Sequence, residues 1–258
     1  MYYNTNDLSI YYEKFGNSDK TILILPGWGD TRKTFYHLIE NLQNDFTVYI
    51  LDYPGFGNSP FPAKDLTIYD YTNLIRDFLT DNNITNPTII AHSFGGRIAT
   101  LLTGYYKEKI DQLILIDIAA IKPKKSIKIW LKEKIYKLLK KLTHFCPKKK
   151  QEKYRQKLIH LFGSTDYKSL SKEMQQTFKN IINEDLKDYL PYIESETLLL
   201  WGEKDMDTPL KSAYLLRKKI KNSALIVFPK ATHYCYLEYK DLTQKIIKKF
   251  LLSEKDLS

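Results

Sequence analysis

Seven short apolar runs recur along this 258-residue chain, and amphipathic stretches separate them. Each run holds four to six residues rich in Ile, Leu or Val, with Gly, Pro or Asp close by. The runs are Leu8–Tyr12, Thr21–Leu25, Phe46–Leu51, Thr88–Ala91, Gln112–Asp117, Thr197–Trp201 and Ala224–Phe228. Near-continuous apolar runs of this length are typical of strands that are covered on both faces, as in parallel sheets.

An opening hairpin and two helix starts complete the prediction of an α/β fold. Met1–Tyr3 and Leu8–Lys14 predict an opening antiparallel hairpin, which brings the expected sheet to eight strands. Thr67–Asp70 resembles a capping box with Asp in place of Glu, and a second helix is predicted to begin at Gly95. The chain is therefore predicted to form a mostly parallel eight-stranded sheet with helices on both faces.

The alternation stops between residues 122 and 190, where no strand-like run occurs. We therefore predict a core formed by residues 1–121 and 191–258, and a helical insertion formed by residues 122–190. One predicted helical face of the insertion carries Ile127, Leu131, Ile135, Leu138, Leu139 and Leu142.

The net charge of +10 is concentrated in this insertion. Between Lys122 and Lys157, fifteen Lys or Arg residues stand against two Glu residues. Such a segment is either the solvated face of helices whose apolar stripe rests on the core, or a landing site for an acidic partner. Nucleic acid is not expected as a partner, because no binding motif with interleaved aromatic residues accompanies the charge.

Composition and the terminal residues also bear on membrane association, localisation and metal binding. No run of about eighteen apolar residues is present, so no membrane span is predicted. The first residues lack the basic and apolar regions of a signal peptide, which favours a cytoplasmic protein. Cys146 and Cys235 are expected to be free thiols. No cluster of metal ligands is visible, and neither a metal nor a cofactor is predicted.

The sharpest local signal is the stretch from Ile89 to Arg97, which reads Ile-Ile-Ala-His-Ser-Phe-Gly-Gly-Arg. An apolar strand ends at Ser93, a helix follows, and small residues stand two positions to either side, at Ala91 and Gly95. A nucleophile on a tight strand-to-helix turn needs small neighbours, because larger ones would collide with the adjoining strand and helix. Ser93 is therefore predicted at the carboxyl edge of the sheet, where open α/β sheets bind ligands.

A serine nucleophile needs a base and an orienting acid. His233 lies in the loop after the last apolar run, and Asp205 lies after the preceding run, so both share the sheet edge of Ser93. Asp207 and Asp117 remain open as alternative acids. The other histidines are expected to be packing or surface residues, namely His37, His92, His144 and His160.

Together these motifs resemble the α/β-hydrolase fold enzymes of the capped esterase and lipase-like type. The resemblance spans nearly the whole chain, with Pro26 and Thr232 standing where the family usually has His and Gly. Besides the serine turn and the His233 loop, the matching segments are Leu25–Gly29 (glycine loop), Asp52–Ser59 (Asp-x-Pro-Gly-x-Gly-x-Ser turn) and Gly202–Pro209 (acid loop).

The resemblance implies roles for these residues. Ser93 attacks a carbonyl carbon, His233 transfers the proton, and Asp205 holds the imidazole in its useful tautomer. The backbone N–H groups of Trp28 and Phe94 are expected to form the oxyanion hole.

The resemblance also implies that the insertion is a cap that selects substrates. Trp28, Phe94 and Trp130 are candidates to line the acyl pocket, although aromatic residues at such positions are core residues about as often. An acidic acyl carrier protein and an anionic membrane surface are the partners that a basic cap fits.

The expected function is hydrolysis of small-molecule carboxylic esters through an acyl-enzyme intermediate, without a cofactor. One alternative is a methyl esterase or thioesterase that docks acyl carrier protein through the basic cap. A carbon–carbon bond hydrolase, a perhydrolase and a non-catalytic ligand receptor are further alternatives. Dehalogenase and epoxide hydrolase chemistry is disfavoured, because those relatives carry an aspartate where Ser93 stands.

Overall fold

The computed structural model describes residues 1–5, 7–122, 127–143, 147–162 and 170–252. Eight strands form one sheet in the order β1-β2-β4-β3-β5-β6-β7-β8. The strands are β1 (Tyr2–Asn4), β2 (Ser9–Phe15), β3 (Thr21–Leu25), β4 (Thr47–Asp52), β5 (Thr88–His92), β6 (Gln112–Ile116), β7 (Glu196–Gly202) and β8 (Ser223–Phe228). Among the described strands, only the β1–β2 and β2–β4 pairs are antiparallel. The predicted eight-stranded, mostly parallel sheet is confirmed.

Helices cover both faces of this sheet. Their bounds are α1 (Tyr36–Leu42), α2 (Ile68–Asp81), α3 (Phe94–Thr100), α4 (Ile127–Leu142), α5 (Lys148–Phe162), α6 (Gln175–Asn183), α7 (Leu210–Lys219), α8 (Cys235–Glu238) and α9 (Lys240–Leu251). The capping box predicted at the start of α2 is present, because Thr67 and Asp70 satisfy each other's backbone N–H groups. The helix after Ser93 begins one residue earlier than predicted and continues as a π-helical segment, Leu101–Tyr105.

Successive residues of the central strands are buried on opposite faces of the sheet. In β3, Ile22 and Ile24 belong to a core cluster that includes residues of α1 and α9. Their neighbours Leu23 and Leu25 are equally buried on the other side. This two-sided burial explains why the apolar runs are continuous rather than alternating.

The chain divides into two compact units, Met1–Lys122 with Glu184–Ser258, and Pro123–Asn183. Within the described part of the second unit, regular structure is helical and comprises α4, α5, α6 and a short 3-10 helix, Lys172–Met174. The sequence assigns residues 184–190 to the insertion, whereas they lie in the first unit, where Leu186 and Leu190 are fully buried. No helix among the described residues has the length and apolarity needed to cross a bilayer.

Candidate active site

Ser93 occupies a strained turn between β5 and α3. Its backbone has φ of +46° and ψ of −108°, a combination that costs free energy in any residue except glycine. Its N–H donates to the carbonyl oxygen of Ile116 at 3.1 Å. A Cβ atom on Gly95 would collide with the backbone carbonyl of Leu25, and Ala91 is fully buried in β5. Small residues at these two positions therefore fit the tight packing around the turn, as the sequence predicts.

Three loops bring a serine, a histidine and an aspartate together at the carboxyl edge of the sheet. The Nε2 atom of His233 lies 2.9 Å from Oγ of Ser93, and its Nδ1 atom lies 2.8 Å from Oδ2 of Asp205. Ser93 follows β5, Asp205 follows β7, and His233 follows β8. The arrangement is a continuous hydrogen-bonded relay from hydroxyl to imidazole to carboxylate.

The acid is held by its own loop as well as by His233. The Oδ1 atom of Asp205 accepts the N–H groups of Asp207 at 2.8 Å and of Thr208 at 2.9 Å. The Thr208 hydroxyl contacts Oδ2 of the same carboxylate. Burial opposes ionisation, but the hydrogen bond and charge of His233, together with the Thr208 contacts, hold the pKa of Asp205 below its ordinary value.

The base is shifted in the opposite direction. Burial works to lower the pKa of His233, but the hydrogen bond and charge of Asp205 outweigh it, with smaller contributions from Asp117 and Asp207. The net result is a pKa of His233 above the ordinary value for histidine. Asp205 therefore favours the protonated imidazole that forms when His233 accepts a proton.

The structure distinguishes the three candidate acids by their contacts. Asp207 is exposed, and its backbone N–H donates to Asp205. Asp117 is fully buried, and its Oδ1 atom accepts the N–H of Gly202 at 2.8 Å. Burial raises the pKa of Asp117 to about 7, and the charge of Asp205 adds to this rise. Asp205 is the carboxylate that His233 contacts directly.

The two predicted oxyanion-hole residues lie side by side. The rings of Trp28 and Phe94 pack edge to face with their centroids 5.2 Å apart. Phe94 is the first residue of α3, where helical N–H groups lack intrahelical partners. The Phe94 ring is 2% exposed and also packs on Tyr53 and Tyr71. The oxyanion hole and the acyl pocket remain predictions, and the side chain of Trp130 lies outside the described part of the chain.

Sequence reasoning missed two contributions to this site. Thr208 supports the acid, and its only signal was its place in the Gly202–Pro209 loop. His92 was expected to be a packing residue, yet its Nε2 atom lies 2.9 Å from the carbonyl oxygen of His233. The carboxylates of Asp205 and Asp207 and the His233 ring lie close enough to share one cation, but a cation there would compete with the His233–Asp205 hydrogen bond.

The chain is similar to known proteins with the alpha/beta hydrolase fold. The sequence matches the family described as alpha/beta hydrolase fold over residues 20–181, and the one described as TAP-like protein over residues 173–255. It is 28% identical to the pimeloyl-[acyl-carrier protein] methyl ester esterase of Wigglesworthia glossinidia brevipalpis, over 93% of this chain and 97% of that protein. It is 24% identical to the 2-hydroxy-6-oxononadienedioate/2-hydroxy-6-oxononatrienedioate hydrolase 1 of Pseudomonas putida, over 95% and 92%.

Among solved structures, MGS-M2, an alpha/beta hydrolase enzyme from a Medee basin deep-sea metagenome library, superimposes with a TM-score of 0.75. The match covers all of both chains at 21% identity, so it shows similarity of the fold alone. The first family match covers well over half of the sequence and includes the turn that carries Ser93. The chain therefore belongs to the α/β hydrolase fold family.

Proposed function

We propose that the protein hydrolyses carboxylic esters through an acyl-enzyme intermediate formed on Ser93. The observation that carries this proposal is the position of the His233 ring, with Nε2 2.9 Å from the Ser93 hydroxyl and Nδ1 2.8 Å from Asp205. A serine hydroxyl becomes a useful nucleophile only when a base removes its proton during attack. The relay supplies that base and holds it in the required tautomer.

The chemistry then follows from the atoms present. His233 Nε2 takes the hydroxyl proton while Ser93 Oγ bonds to the substrate carbonyl carbon, and the carbonyl oxygen becomes an oxyanion. The backbone N–H groups of Trp28 and Phe94 are the donors proposed for that oxygen, and losing one such donor costs roughly 10²–10³ in rate. The intermediate expels the alcohol, which takes the proton from His233. A water molecule repeats the sequence, releasing the acid and restoring Ser93.

A nitrophenyl ester assay combined with active-site labelling tests the proposal. We expect turnover of short-chain nitrophenyl esters and a covalent fluorophosphonate adduct on Ser93. Ser93→Ala is expected to lower turnover by roughly 10⁶ and to abolish labelling. Ser223→Ala, in β8 away from this relay, is the matched control and should retain both. Turnover that survives Ser93→Ala would overturn the proposal, and so would wild-type protein that neither turns over nor labels.

A second candidate is hydrolysis of a methyl ester carried by an acyl carrier protein. It is supported by the named activity of the Wigglesworthia relative and by exposed lysines on two helices of the second unit. These lysines include Lys137, Lys140 and Lys141 of α4 and Lys150, Lys153 and Lys157 of α5. An acidic partner is attracted to such a surface, and its rate of association falls as salt is added.

The described part of α4 does not bury all of its predicted apolar stripe. Ile135, Leu138 and Leu142 are 48%, 60% and 52% exposed. An exposed apolar row flanked by lysines also fits the anionic membrane surface predicted as an alternative partner. An experiment on α4 should therefore distinguish an acyl carrier protein from an anionic membrane surface as the partner.

A charge-reversal series separates these alternatives. Lys137, Lys140 and Lys141 are replaced by Glu, and exposed Lys211, Lys218 and Lys221 are replaced by Glu as the control. For a carrier-protein substrate, we expect the α4 variant to lower kcat/KM for a carrier-bound methyl ester and to spare a nitrophenyl ester. Equal effects of the two variants would refute carrier docking. Binding of wild-type protein to phosphatidylglycerol vesicles, lost in the α4 variant, would favour a membrane surface instead.

The remaining alternatives differ in the bond that is cleaved. The Pseudomonas relative is named as a hydrolase of a 2-hydroxy-6-oxo acid, and the same relay can serve attack on a carbon–carbon bond next to a ketone. A panel containing esters, thioesters, a 2-hydroxy-6-oxo acid, and an ester with hydrogen peroxide to detect peracid formation ranks these activities by kcat/KM. Tight ligand binding with negligible turnover across the panel would indicate a non-catalytic receptor.

A further inference from the structure

The residue before the nucleophile contacts the backbone of the base. His92 is 1% exposed, and its Nε2 atom lies 2.9 Å from the carbonyl oxygen of His233. Because a carbonyl oxygen only accepts hydrogen bonds, Nε2 of His92 is the donor. Its other ring nitrogen, Nδ1, lies 3.2 Å from Oδ2 of Asp30. The partner of Nδ1 is a carboxylate oxygen, so this second contact is a hydrogen bond when Nδ1 or Asp30 carries a proton.

Asp30 extends the connection in two directions. It lies in the loop after β3, two residues beyond Trp28, and its Oδ1 atom accepts the Tyr234 hydroxyl at 3.3 Å. Tyr234 immediately follows His233. The Asp30–His92 pair thus connects the loop of Trp28, the predicted oxyanion donor, with the end of β5 before Ser93 and with the His233 loop.

The surroundings leave room for this pair. A Cβ atom on Gly27 would lie 2.5 Å from Oδ2 of Asp30 and 2.8 Å from Nδ1 of His92, so a side chain there would displace them. The His92 ring also packs against the rings of His233, Tyr234 and Tyr236, with centroids 4.9 to 5.2 Å apart.

A buried imidazole costs free energy unless its nitrogens are hydrogen-bonded, whereas an apolar side chain would fill the same space without that cost. Here Nε2 donates to the main chain of the base itself, and Nδ1 lies within hydrogen-bond distance of Asp30. The His233 ring is attached to that main chain through two rotatable bonds. Fixing the carbonyl therefore limits where Nε2 of His233 can lie relative to Ser93.

We propose that His92, supported by Asp30, is a positioning residue that fixes the backbone of His233 so that the imidazole faces Ser93. The inference rests on the proposed function, because positioning matters only if His233 is the base. In this role His92 takes no part in bond making or proton transfer. A displacement of about 1 Å of a reacting group is enough to lower a rate by about 10²-fold.

Three variants at this pair and one control test the proposal. His92→Leu removes both contacts, His92→Gln retains a donor towards the His233 carbonyl, and Asp30→Ala removes only the support. His37→Leu is the matched control, because its ring also packs on Tyr236, at 5.9 Å, without bonding to His233. The measurements are kcat and KM for a nitrophenyl ester, the rate constant for fluorophosphonate labelling of Ser93, and the pH dependence of both rates.

We expect His92→Leu to lower kcat and the labelling rate by about 10²-fold, with KM changed by no more than about twofold. Asp30→Ala should lower both rates by about tenfold, and His92→Gln should recover most of the loss. His37→Leu should behave like wild type. The acid limb of the rate profile should move to lower pH in His92→Leu, because a displaced imidazole loses the interaction with Asp205 that raises its pKa.

Rates in His92→Leu equal to those in His37→Leu would overturn the proposal. So would His92→Gln as slow as His92→Leu, or a rate loss that follows the folded fraction with an unchanged pH profile. If His92→Leu does not fold, Asp30→Ala and His92→Gln decide the matter by the same criteria.

One readout is independent of catalysis. The Nδ1 proton of His233, hydrogen-bonded to Asp205, should give a downfield proton resonance. It should be lost or shifted upfield in His92→Leu and kept in His92→Gln and His37→Leu. An unchanged resonance in His92→Leu would overturn the positioning role, whether or not the wild-type protein hydrolyses esters. Inactivity of the wild-type protein towards esters would instead refute the proposed function.

Discussion

The guanidinium of Arg97 donates to the carbonyl oxygen of Glu184 at 2.6 Å, 87 residues further along the chain. A second bond of 2.6 Å reaches the carbonyl oxygen of Ala119. Ala119 shortly precedes the second unit and Glu184 immediately follows it. One buried side chain of α3 therefore connects the two segments of the first unit that flank the second unit.

Replacing Arg97 should loosen this connection. Burial lowers the pKa of Arg97 to about 10, so the side chain is still charged at neutral pH and its removal recovers some desolvation cost. The two carbonyl groups nevertheless lose their donors, and we expect Arg97→Met to lower the free energy of unfolding by about 1–3 kcal/mol. Urea denaturation measures this, with exposed Arg217→Met as control. Faster protease cleavage within residues 123–183 should accompany the loss, and equal behaviour of the two variants would contradict it.

The acid limb of activity should lie above the ordinary histidine range. His233 must be neutral to accept the Ser93 proton, and Asp205 raises the pKa of His233 against the effect of burial. The kcat/KM for an uncharged ester should therefore fall to half its plateau at a pH above about 6.5. Asp205→Asn should move this limb to lower pH and reduce the plateau by roughly 10⁴. A wild-type limb at or below that pH would contradict the expectation.

Asp117 should make stability depend on pH. Its pKa is about 7 in the folded protein because it is buried, and near 3.8 for an ordinary aspartate. Between these values the folded state keeps a proton that the unfolded state releases, so stability falls as pH rises through this window. We expect Asp117→Asn to be more stable than wild type at pH 8, by about 2–4 kcal/mol, and the difference to shrink towards pH 4.

Urea denaturation at several pH values measures this difference. Asp19→Asn, at an exposed position, is the control for the loss of a carboxylate. A pH-independent effect of Asp117→Asn would show that the carboxyl group does not carry the linkage.

The turn at Ser93 should trade stability for activity. The φ of +46° is costly for residues with a side chain and tolerated by glycine. Ser93→Gly should therefore be more stable than Ser93→Ala by about 1 kcal/mol, although neither variant is active. Thermal unfolding followed by circular dichroism compares the two, and a less stable glycine variant would contradict the strain argument.

The sequence alone determined the sheet, the serine turn and the loops that carry the acid and the base. Short continuous apolar runs near Gly, Pro or Asp favour strands covered on both faces, and small residues at Ala91 and Gly95 favour a tight turn at Ser93. These properties are local, or depend on the order of segments along the chain, and can therefore be read without coordinates.

Only the tertiary structure decided which groups contact one another. The Gly202–Pro209 motif favoured Asp205 over Asp207 and Asp117, which also follow strands, but the sequence could not show which carboxylate contacts His233. The same holds for His92, whose ring reaches His233 141 residues away, and for Arg97. Hydrogen bonds form only over about 3 Å, so they depend on how distant segments pack. The sequence pattern predicts at which edge of the sheet a segment lies, but not its position to that precision.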